Sequence, residues 1–271
     1  MNRTFSIIGC GHIARVFLSA LDSLDGKYAV PHSSVTLYNR TPEHISDLAE
    51  KGYRIAASAA EAFAAGNTVF LGVKPQDLRT AAAQLGESPR EEKLLLSPIA
   101  GAELSLVVAL TGCRRVVRLL PNTPISVGRG VTAVCRTDAV NDRDFEYVCR
   151  VFSLSGSVYA VAEKEMNAMC AATSSGVAFA LRLLTAMSSA AHTAGAETPQ
   201  LDRAIAETIL GAAELCLRSG KTCEQLLNEI RSPNGTTHAA MNALDRQDFD
   251  GAVAAAVSAC AARAAELGKN V

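Results

Sequence analysis

Residues 5–14 are the part of this sequence that most constrains the fold. They read Phe-Ser-Ile-Ile-Gly-Cys-Gly-His-Ile-Ala, a short apolar run that ends in Gly-x-Gly-x-x-Ala and leads into an apolar helical pattern. Gly9 permits the tight turn from strand to helix, Gly11 lets backbone approach a pyrophosphate, and Ala14 keeps the helix close to the sheet. Phosphates then bind free N–H groups at the positive end of that helix. The segment predicts the first βαβ unit of a dinucleotide-binding domain.

The first 160 residues alternate short apolar, β-branched runs with helical stretches. Strands are predicted at residues 5–9, 34–38, 68–73, 93–97, 115–119, 131–135 and 157–160. Helical patterns lie between them at 43–51, 58–64 and 76–85. Alternating strands and helices favour a mostly parallel sheet covered on both faces. We therefore expect an α/β fold with a Rossmann-type dinucleotide-binding domain over residues 1–160.

The pattern changes after residue 160. Strand signals vanish, and Ala-rich helical stretches follow at 163–194, 198–219, 222–230, 235–246 and 249–267. Aromatic residues make up only 5% of the chain, so each of these helices buries little area and needs a partner at close range. We expect residues 161–271 to form an all-α domain for substrate binding and dimerisation. A self-contained monomeric bundle is the alternative.

Charge and cysteine usage argue against several function classes. With 26 basic and 27 acidic residues the net charge is −1. The sequence therefore has no excess of positive charge that would favour binding to nucleic acid or to a membrane surface. The 8 cysteines form no Cys-x-x-Cys pair and no Cys/His cluster, so we predict no metal site and a reducing compartment. We see neither a signal-peptide pattern nor an uninterrupted apolar span, so we expect a cytoplasmic protein without a membrane anchor.

The residues after the second predicted strand bear on the choice of dinucleotide. An NAD site normally places Asp or Glu there, to bind the ribose hydroxyls. This chain has Asn39, Arg40 and Thr41 instead. These are hydrogen-bond donors suited to a 2′-phosphate, so we predict NADPH, with NADH as the alternative. A solvated surface role for Arg40 is the competing interpretation.

Other strand ends offer further candidates, because ligands of open parallel sheets bind outside the carboxyl ends of the strands. Lys74 is expected to face ribose or phosphate, and Asn122 to bind a carboxamide or an ordered water near the nicotinamide ring. The alternatives are an ordinary strand exit for Lys74 and a purely structural turn for Asn122. The complete set of predicted cofactor-binding residues is Gly9, Gly11, His12, Ile13, Ala14, Asn39, Arg40, Thr41, Val73, Lys74, Pro75, Ala100, Gly101 and Asn122.

Two polar interruptions occur in the helical half. Residues 173–176, Thr-Ser-Ser-Gly, lie inside an apolar stretch, where these residue types weaken helical bonding. We expect a local break whose N–H groups hold a carboxylate; packing of small residues between crossing helices is the alternative. Residues 232–237, Ser-Pro-Asn-Gly-Thr-Thr, predict a tight turn and a helix start that suits an anion. Simple helix capping is the alternative there.

Together these motifs resemble the pyrroline-5-carboxylate reductase family, which carries out the last step of proline synthesis. The resemblance covers nearly the whole chain and rests on residues 8–14, 39–42, 73–76, 100–101, 117–124, 128–130 and 232–237. It implies NADPH-dependent reduction of the cyclic imine 1-pyrroline-5-carboxylate to proline by direct hydride transfer. It also implies a homodimer formed through the C-terminal helices, with a higher oligomer left open.

The resemblance assigns residues to the substrate as well. It implies that backbone amides of residues 174–178 and of the Thr-Thr helix start hold the substrate carboxylate. Thr237 is implied to contact the ring nitrogen, so the chemistry needs no general base. The substrate-binding residues implied in this way are Ser174, Ser175, Gly176, Val177, Ala178, Gly235, Thr236 and Thr237.

Several positions depart from the family pattern. Asn167 stands where an aspartate is expected and Cys170 where a threonine is expected, while Ser174 and Val177 replace the Gly and Pro of a Gly-Ser-Gly-Pro-Ala turn. Asn234 replaces the first of two glycines, a mild change because Asn tolerates positive φ. The altered turn leaves alternatives open: a different cyclic imine, a β-hydroxyacid dehydrogenase-like activity, or a catalytically silent paralogue that binds NADPH and acts through its dimer surface.

Overall fold

The structure is a computed structural model that describes residues 3–269. Internal contacts divide it into two units. One comprises the described residues up to Ser175 together with those from Ala259 onward, and the other is Gly176–Ser258. The domain boundary expected near residue 160 stays a prediction.

The first unit is built on an eight-stranded sheet with the order β3-β2-β1-β4-β5-β6-β7-β8. The strands are β1 (Phe5–Ile8), β2 (Val35–Tyr38), β3 (Arg54–Ile55), β4 (Thr68–Leu71), β5 (Leu94–Ser97), β6 (Arg115–Pro121), β7 (Gly130–Arg136) and β8 (Gly156–Ala160). Neighbouring strands are parallel except β6 and β7, which pair antiparallel with Val117 opposite Arg136. The seven predicted strands are confirmed. The short edge strand β3 was missed.

Helices cover both faces of this sheet. They are α1 (His12–Asp22), α2 (Ser46–Glu50), α3 (Ala59–Ala65), α4 (Leu78–Ala83), α5 (Leu104–Thr111), α6 (Asp142–Ser153) and α7 (Met166–Met169). The apolar face of α1 shows how they attach: Ala14, Phe17 and Leu21 recur at helical spacing and are almost fully buried. The Phe17 ring stacks on Phe70 of β4 with centroids 4.9 Å apart. This packing fixes the amino end of α1 against the sheet edge.

Two of the predicted helices begin later than expected. The stretches at 43–51 and 76–85 start as 3₁₀ turns, Pro42–Ile45 and Pro75–Asp77, and only then become α2 and α4. A proline stands at the start of each turn, where its fixed φ suits a helix beginning.

The second unit is helical. It contains α8 (Gly176–Thr193), α9 (Leu201–Ser219), α10 (Cys223–Ile230) and α11 (Thr236–Arg246), and α12 (Phe249–Lys269) has residues in both units. The five predicted helical stretches are therefore confirmed, the first of them with the interruption described below.

One segment of the helical half has an apolar surface that the sequence analysis did not single out. Glu163–Thr193 is 31 residues long, and its most apolar 18-residue window has a mean hydropathy of 1.3, which suffices by length and composition alone to cross a membrane. Only 6% of its most apolar window is buried within the chain. An exposed apolar surface of this kind marks a candidate site of contact with another protein or a membrane.

Candidate functional site

The ends of β1, β2 and β4 open into one cleft of about 370 Å³ in the first unit. It lies at the carboxyl ends of these parallel strands, where ligands of open α/β sheets bind. Seven of the predicted cofactor-binding residues line it: Gly9, Gly11, Asn39, Arg40, Thr41, Val73 and Lys74.

The two glycines of the first turn have different roles. Gly9 has φ +89°, and a Cβ there would lie 2.6 Å from the carbonyl oxygen of Gly72, so the exits of β1 and β4 touch through backbone alone. Gly11 is the N-cap of α1, and a Cβ there would meet nothing within 4 Å. No side chain caps this helix end. The first glycine therefore shapes the turn, while the second keeps the N–H groups of α1 open to an anion.

Asn39 joins the glycine turn to the end of β2. Its Oδ1 accepts a hydrogen bond from the Cys10 N–H at 3.2 Å, and its Nδ2 donates to the Thr41 carbonyl at 2.8 Å. An aspartate could accept the first of these bonds but could not donate the second. Burial raises the pKa of the Cys10 thiol to about 12, so this cysteine stays protonated in the turn.

Arg40 stands at the mouth of the cleft. Its side chain is 83% exposed, and among the described residues it makes one ion pair, a long one of 3.6 Å from Nη1 to Oδ1 of Asp77. A pair of this kind holds the guanidinium weakly, so most of its donors are free for a phosphate. The geometry fits the predicted 2′-phosphate contact, which stays a prediction.

Nine lining residues were missed, and among them are the polar side chains of His44, Asp77, Thr80 and Gln84. Three of them share a signal that was available. Asp77, Thr80 and Gln84 follow each other at helical spacing directly after Lys74-Pro75, so they place one face of α4 on the cleft.

The other predicted cofactor residues lie outside the lining of this cleft. Ala14 is buried on the sheet-facing side of α1, as expected of the residue that keeps helix and sheet close. Gly101, with φ +78°, packs against α12, because a Cβ there would lie 2.7 Å from the Gly268 nitrogen. The remaining members of the set are His12, Ile13, Pro75, Ala100 and Asn122.

Asn122 has a structural role that was kept as the alternative in the sequence analysis. It is buried, its Oδ1 accepts from the Val131 N–H at 2.8 Å, and its Nδ2 donates to the Thr173 carbonyl at 3.0 Å. It therefore ties the β6–β7 connection to the helical segment above it. Contact with the nicotinamide end of a cofactor stays a prediction.

Residues Cys170–Ser174 form a π-helical turn, which confirms the predicted break in the helix. The Ser175 N–H donates to the Cys170 carbonyl at 3.1 Å, one residue further back than in an α-helix. The Thr173 hydroxyl donates to the Met169 carbonyl, and the Ser175 hydroxyl lies 2.9 Å from Sγ of Cys260. Whether N–H groups of this turn hold a carboxylate stays a prediction.

Arg118 lies beneath this turn and is 1% exposed. Its Nη2 donates to Oδ1 of Asn167 at 3.1 Å, and its Nη1 reaches Oε1 of Glu163 at 3.4 Å. Its Nε is buried without a partner. Glu163 Oε1 also accepts the Leu104 N–H at 2.6 Å, so one carboxylate serves both the arginine and the start of α5.

In the second unit, residues 232–237 form the predicted turn and helix start. Asn234 has φ +60°, in the left-handed region where Asn is tolerated. Thr236 and Thr237 are the first residues of α11, Gly235 is its N-cap, and no side chain caps it. The threonines therefore do not act as simple caps, and the N–H groups at this helix end are open. Arg231 holds the turn to α11 through Asn242, Nη2 to Oδ1 2.8 Å.

Within residues 3–269 no group of three His, Cys, Asp or Glu side chains is placed to hold a metal ion.

Comparison with known proteins decides the family. Residues 163–267 match a model for pyrroline-5-carboxylate reductase dimerisation, and residues 4–101 match a model described as NADP oxidoreductase, coenzyme F420-dependent. A pyrroline-5-carboxylate reductase from Synechocystis is 30% identical over 226 residues, 83% of this chain and 84% of the relative. The chain belongs to the pyrroline-5-carboxylate reductase family.

The family likeness extends over the full length. The pyrroline-5-carboxylate reductase of Escherichia coli K12 is 27% identical over 272 residues and aligns with 100% of both chains. The structure from Coxiella burnetii is 25% identical, with a TM-score of 0.84 over 98% of this chain and 99% of that one. A Plasmodium falciparum pyrroline carboxylate reductase with NADP bound has the same fold, at 22% identity and a TM-score of 0.86 over 98% of each chain.

Proposed function

We propose that this protein is an NADPH-dependent oxidoreductase that reduces the C=N bond of 1-pyrroline-5-carboxylate and so forms proline. The proposal is carried by full-length membership of the reductase family together with the cleft at the ends of β1, β2 and β4. The fit of the cofactor rests on the open amino end of α1 and the space beyond Gly11.

The first unit supplies the cofactor contacts in this proposal. The free N–H groups at the start of α1 bind the pyrophosphate, and Arg40 binds the 2′-phosphate with its exposed guanidinium. Lys74 adds a second positive charge to the lining of the cleft. When bound, NADPH supplies the hydride. The residues of the chain orient the cofactor and the substrate and neutralise their charges.

The substrate contacts are proposed at two helix starts. The uncapped end of α11 binds the carboxylate of the imine through its N–H groups, together with the backbone of residues 174–178. The half-buried Thr237 hydroxyl accepts a hydrogen bond from the protonated ring nitrogen and keeps its proton in place while the neighbouring carbon accepts the hydride. A protonated imine is already a strong hydride acceptor, so no further acid or base is required.

We propose a homodimer through the C-terminal helices. The dimerisation model spans residues 163–267, and the exposed apolar segment Glu163–Thr193 lies in that range. A second copy of the chain would bury this segment, which accounts for its hydropathy without a membrane. The cytoplasmic location and any higher oligomer stay predictions.

A coupled assay tests the proposed activity. Purified protein with NADPH and racemic 1-pyrroline-5-carboxylate should consume NADPH and form proline. Thr237→Ala should lower kcat/KM by about 10- to 100-fold, since a hydrogen bond to a charged group contributes about 1.5–3 kcal/mol. Thr237→Ser should retain most activity. The matched control is Thr208→Ala, an exposed threonine of α9, which should behave as the wild type.

The alternatives give different results in the same experiment. Absence of turnover with intact NADPH binding would favour a silent paralogue. Oxidation of a 3-hydroxyacid with NADP⁺ would indicate a dehydrogenase. Faster turnover of another cyclic imine would reassign the substrate and leave the reaction type standing.

A further inference from the structure

A second cleft, of about 560 Å³, lies at the other end of β1, beside its amino terminus. We call it the basic cleft. Four cationic side chains and two tyrosines dominate its lining, which comprises Arg3, Lys27, Tyr28, Ala29, Val30, Arg143, Glu146, Tyr147 and Arg150. The proposed function uses none of these residues.

The positive charge of the basic cleft is poorly compensated. Arg3 pairs with Asp144 at 2.6 Å, and that carboxylate also pairs with Arg115. Over the described part of the chain, Lys27, Arg143 and Arg150 make no ion pair. Glu146 is the one carboxylate in the lining. In a chain whose net charge is −1, this is a local excess of cations whose mutual repulsion a bound anion would relieve.

Aromatic rings hold these cations in place. The Arg3 guanidinium carbon lies 4.0 Å from the centroid of the Tyr147 ring. Arg150 and Lys27 lie 4.4 and 5.0 Å from the centroid of Tyr28. Cation–π contacts of this length restrain the side chains before any ligand arrives, which lowers the entropy cost of binding. The same contacts occupy the ring faces, so a flat base is not expected to stack there.

We propose that the basic cleft binds a compact polyanion that carries a phosphate chain, either inorganic or as the tail of a nucleotide. Guanidinium forks bind phosphate oxygens in pairs, and the flexible Lys27 ammonium adds a point charge. Burial raises the pKa of the Tyr147 phenol, which therefore stays protonated and able to donate. The inference does not depend on the proposed reductase activity.

Thermal unfolding with pyrophosphate as the probe tests this site. Pyrophosphate should raise the Tm of the wild type by several degrees, and the part of that shift that comes from the basic cleft should be lost in Arg143→Gln/Arg150→Gln. The matched control is Arg54→Gln, an exposed arginine of β3 that lines neither cleft, which should respond as the wild type does. An equal Tm shift in the double variant, or an equal shift with sodium sulfate at the same ionic strength, would overturn the proposal.

A second probe separates the two sources of the phosphate chain. The part of the Tm shift that the double variant loses should be compared for ADP and for pyrophosphate. A larger lost shift with ADP assigns a nucleotide tail, and an equal or smaller one assigns an inorganic chain. If the double variant keeps the full Tm shift with both probes, the proposed site is contradicted.

A separate observation concerns two thiols of the second unit. Sγ of Cys216 lies 2.6 Å from Sγ of Cys223, closer than two unbonded sulfur atoms normally approach. Both cysteines are free thiols, and Cys223 is exposed. The turn that brings them together is firmly built: Gly220 ends α9 with φ +70°, and Thr222 caps α10 in a reciprocal capping box with Gln225.

We infer that Cys216 and Cys223 form a reversible intramolecular disulfide when a small disulfide such as oxidised glutathione is present. The Cys223 thiolate attacks one glutathione sulfur and releases the first glutathione thiolate. The Cys216 thiolate then attacks Sγ of Cys223 in the mixed disulfide and releases the second. Two protein thiols are oxidised, one glutathione disulfide is reduced, and the two thiol protons go to the released glutathione. The bond would link α9 to α10, the helix that leads into the 232–237 turn.

Intact-mass measurement after incubation with oxidised glutathione tests the pair. The wild type should lose two hydrogen atoms and retain no glutathione, and Cys216→Ser should retain one glutathione on Cys223. Cys149→Ser, which removes a half-buried thiol of α6, is the matched control and should behave as the wild type. Equal Tm values under reducing conditions would establish that the variants fold. Retained glutathione on the wild type, or a link to any other cysteine, would refute the inference.

Discussion

The two glycines of the first turn should respond in opposite ways to the same substitution. Alanine at position 9 has to adopt φ +89°, which costs roughly 1–2 kcal/mol for a residue with a side chain. Its Cβ would also lie 2.6 Å from the Gly72 oxygen, so the exits of β1 and β4 must separate. Overpacking of this kind costs about 1–3 kcal/mol. We expect Gly9→Ala to lower the free energy of unfolding by about 2–5 kcal/mol, a fall in Tm of about 4–20 °C.

Alanine at position 11 should leave stability almost unchanged. The backbone there, φ −73° and ψ −171°, is open to any residue, and the added methyl meets no protein atom within 4 Å. Alanine at an N-cap position lowers the free energy of unfolding by about 1 kcal/mol or less. The same methyl occupies the space where a pyrophosphate has to approach α1. Losing one charge-assisted hydrogen bond, about 1.5–3 kcal/mol, should weaken NADPH binding by about 10- to 100-fold.

Thermal unfolding and a fluorescence titration with NADPH measure the two effects separately. Gly128→Ala is the control for backbone strain, because Gly128 has φ +70° and a Cβ there meets nothing within 4 Å. It should cost less stability than Gly9→Ala and leave NADPH binding intact. The reasoning fails if Gly11→Ala binds NADPH like the wild type, or if Gly9→Ala is no less stable than Gly128→Ala.

Three further perturbations have definite outcomes. Arg40→Gln should weaken NADPH by about tenfold and NADH much less, as measured by titration with both; an equal loss would defeat the 2′-phosphate contact. Asn122→Ala should lower the free energy of unfolding in urea by about 1–3 kcal/mol, because a buried strand N–H loses its acceptor; an unchanged midpoint would contradict this. Burial raises the pKa of Asp144, but the hydrogen bond from Arg3 and the charges of Arg3 and Arg115 lower it more. Its stabilising contribution is therefore full above its unfolded pKa of about 3.9 and is lost as the pH falls through the lower folded value. Asp144→Asn should be less stable than the wild type at pH 7, and acid titration of Tm should show that difference shrinking below about pH 4.

The strands were predictable because most of them are buried on both faces. A parallel strand covered by helices reads as a continuous apolar run, as in the Val-Phe-Leu of β4, and such runs stand out against helical stretches. The strand β3 is two exposed residues at the edge of the sheet, so it carries no such run. Its pairing with β2 is set by the chain path after α2, which no local pattern records.

The cofactor cleft was partly predictable for a different reason. Loops at the carboxyl ends of neighbouring strands converge whatever their sequence, so motifs at those ends could be placed together in advance. The contact of Gly101 with Gly268 joins positions far apart in the sequence through backbone atoms, and neither glycine signals the other. The same holds for Arg118, whose partners Glu163 and Asn167 are set by where α7 packs on the sheet.

Four of the five departures from the family pattern fall within residues 167–177, and the fifth, Asn234, lies in the 232–237 turn. Asn167 accepts from the buried Arg118, while Cys170 and Ser174 begin and end the π-helical turn that follows. An amide at position 167 offers the guanidinium a neutral acceptor, and the nearest carboxylate, Glu163, is 3.4 Å away. A charge-assisted bond is about twice as strong as a neutral one, so this arginine is held less firmly than an aspartate would hold it. The altered residues thus lie in the two segments proposed to contact the substrate carboxylate, and none of them lines the β1–β2–β4 cleft. Substitutions at these positions are therefore expected to change the turnover of the substrate and to leave NADPH binding unchanged.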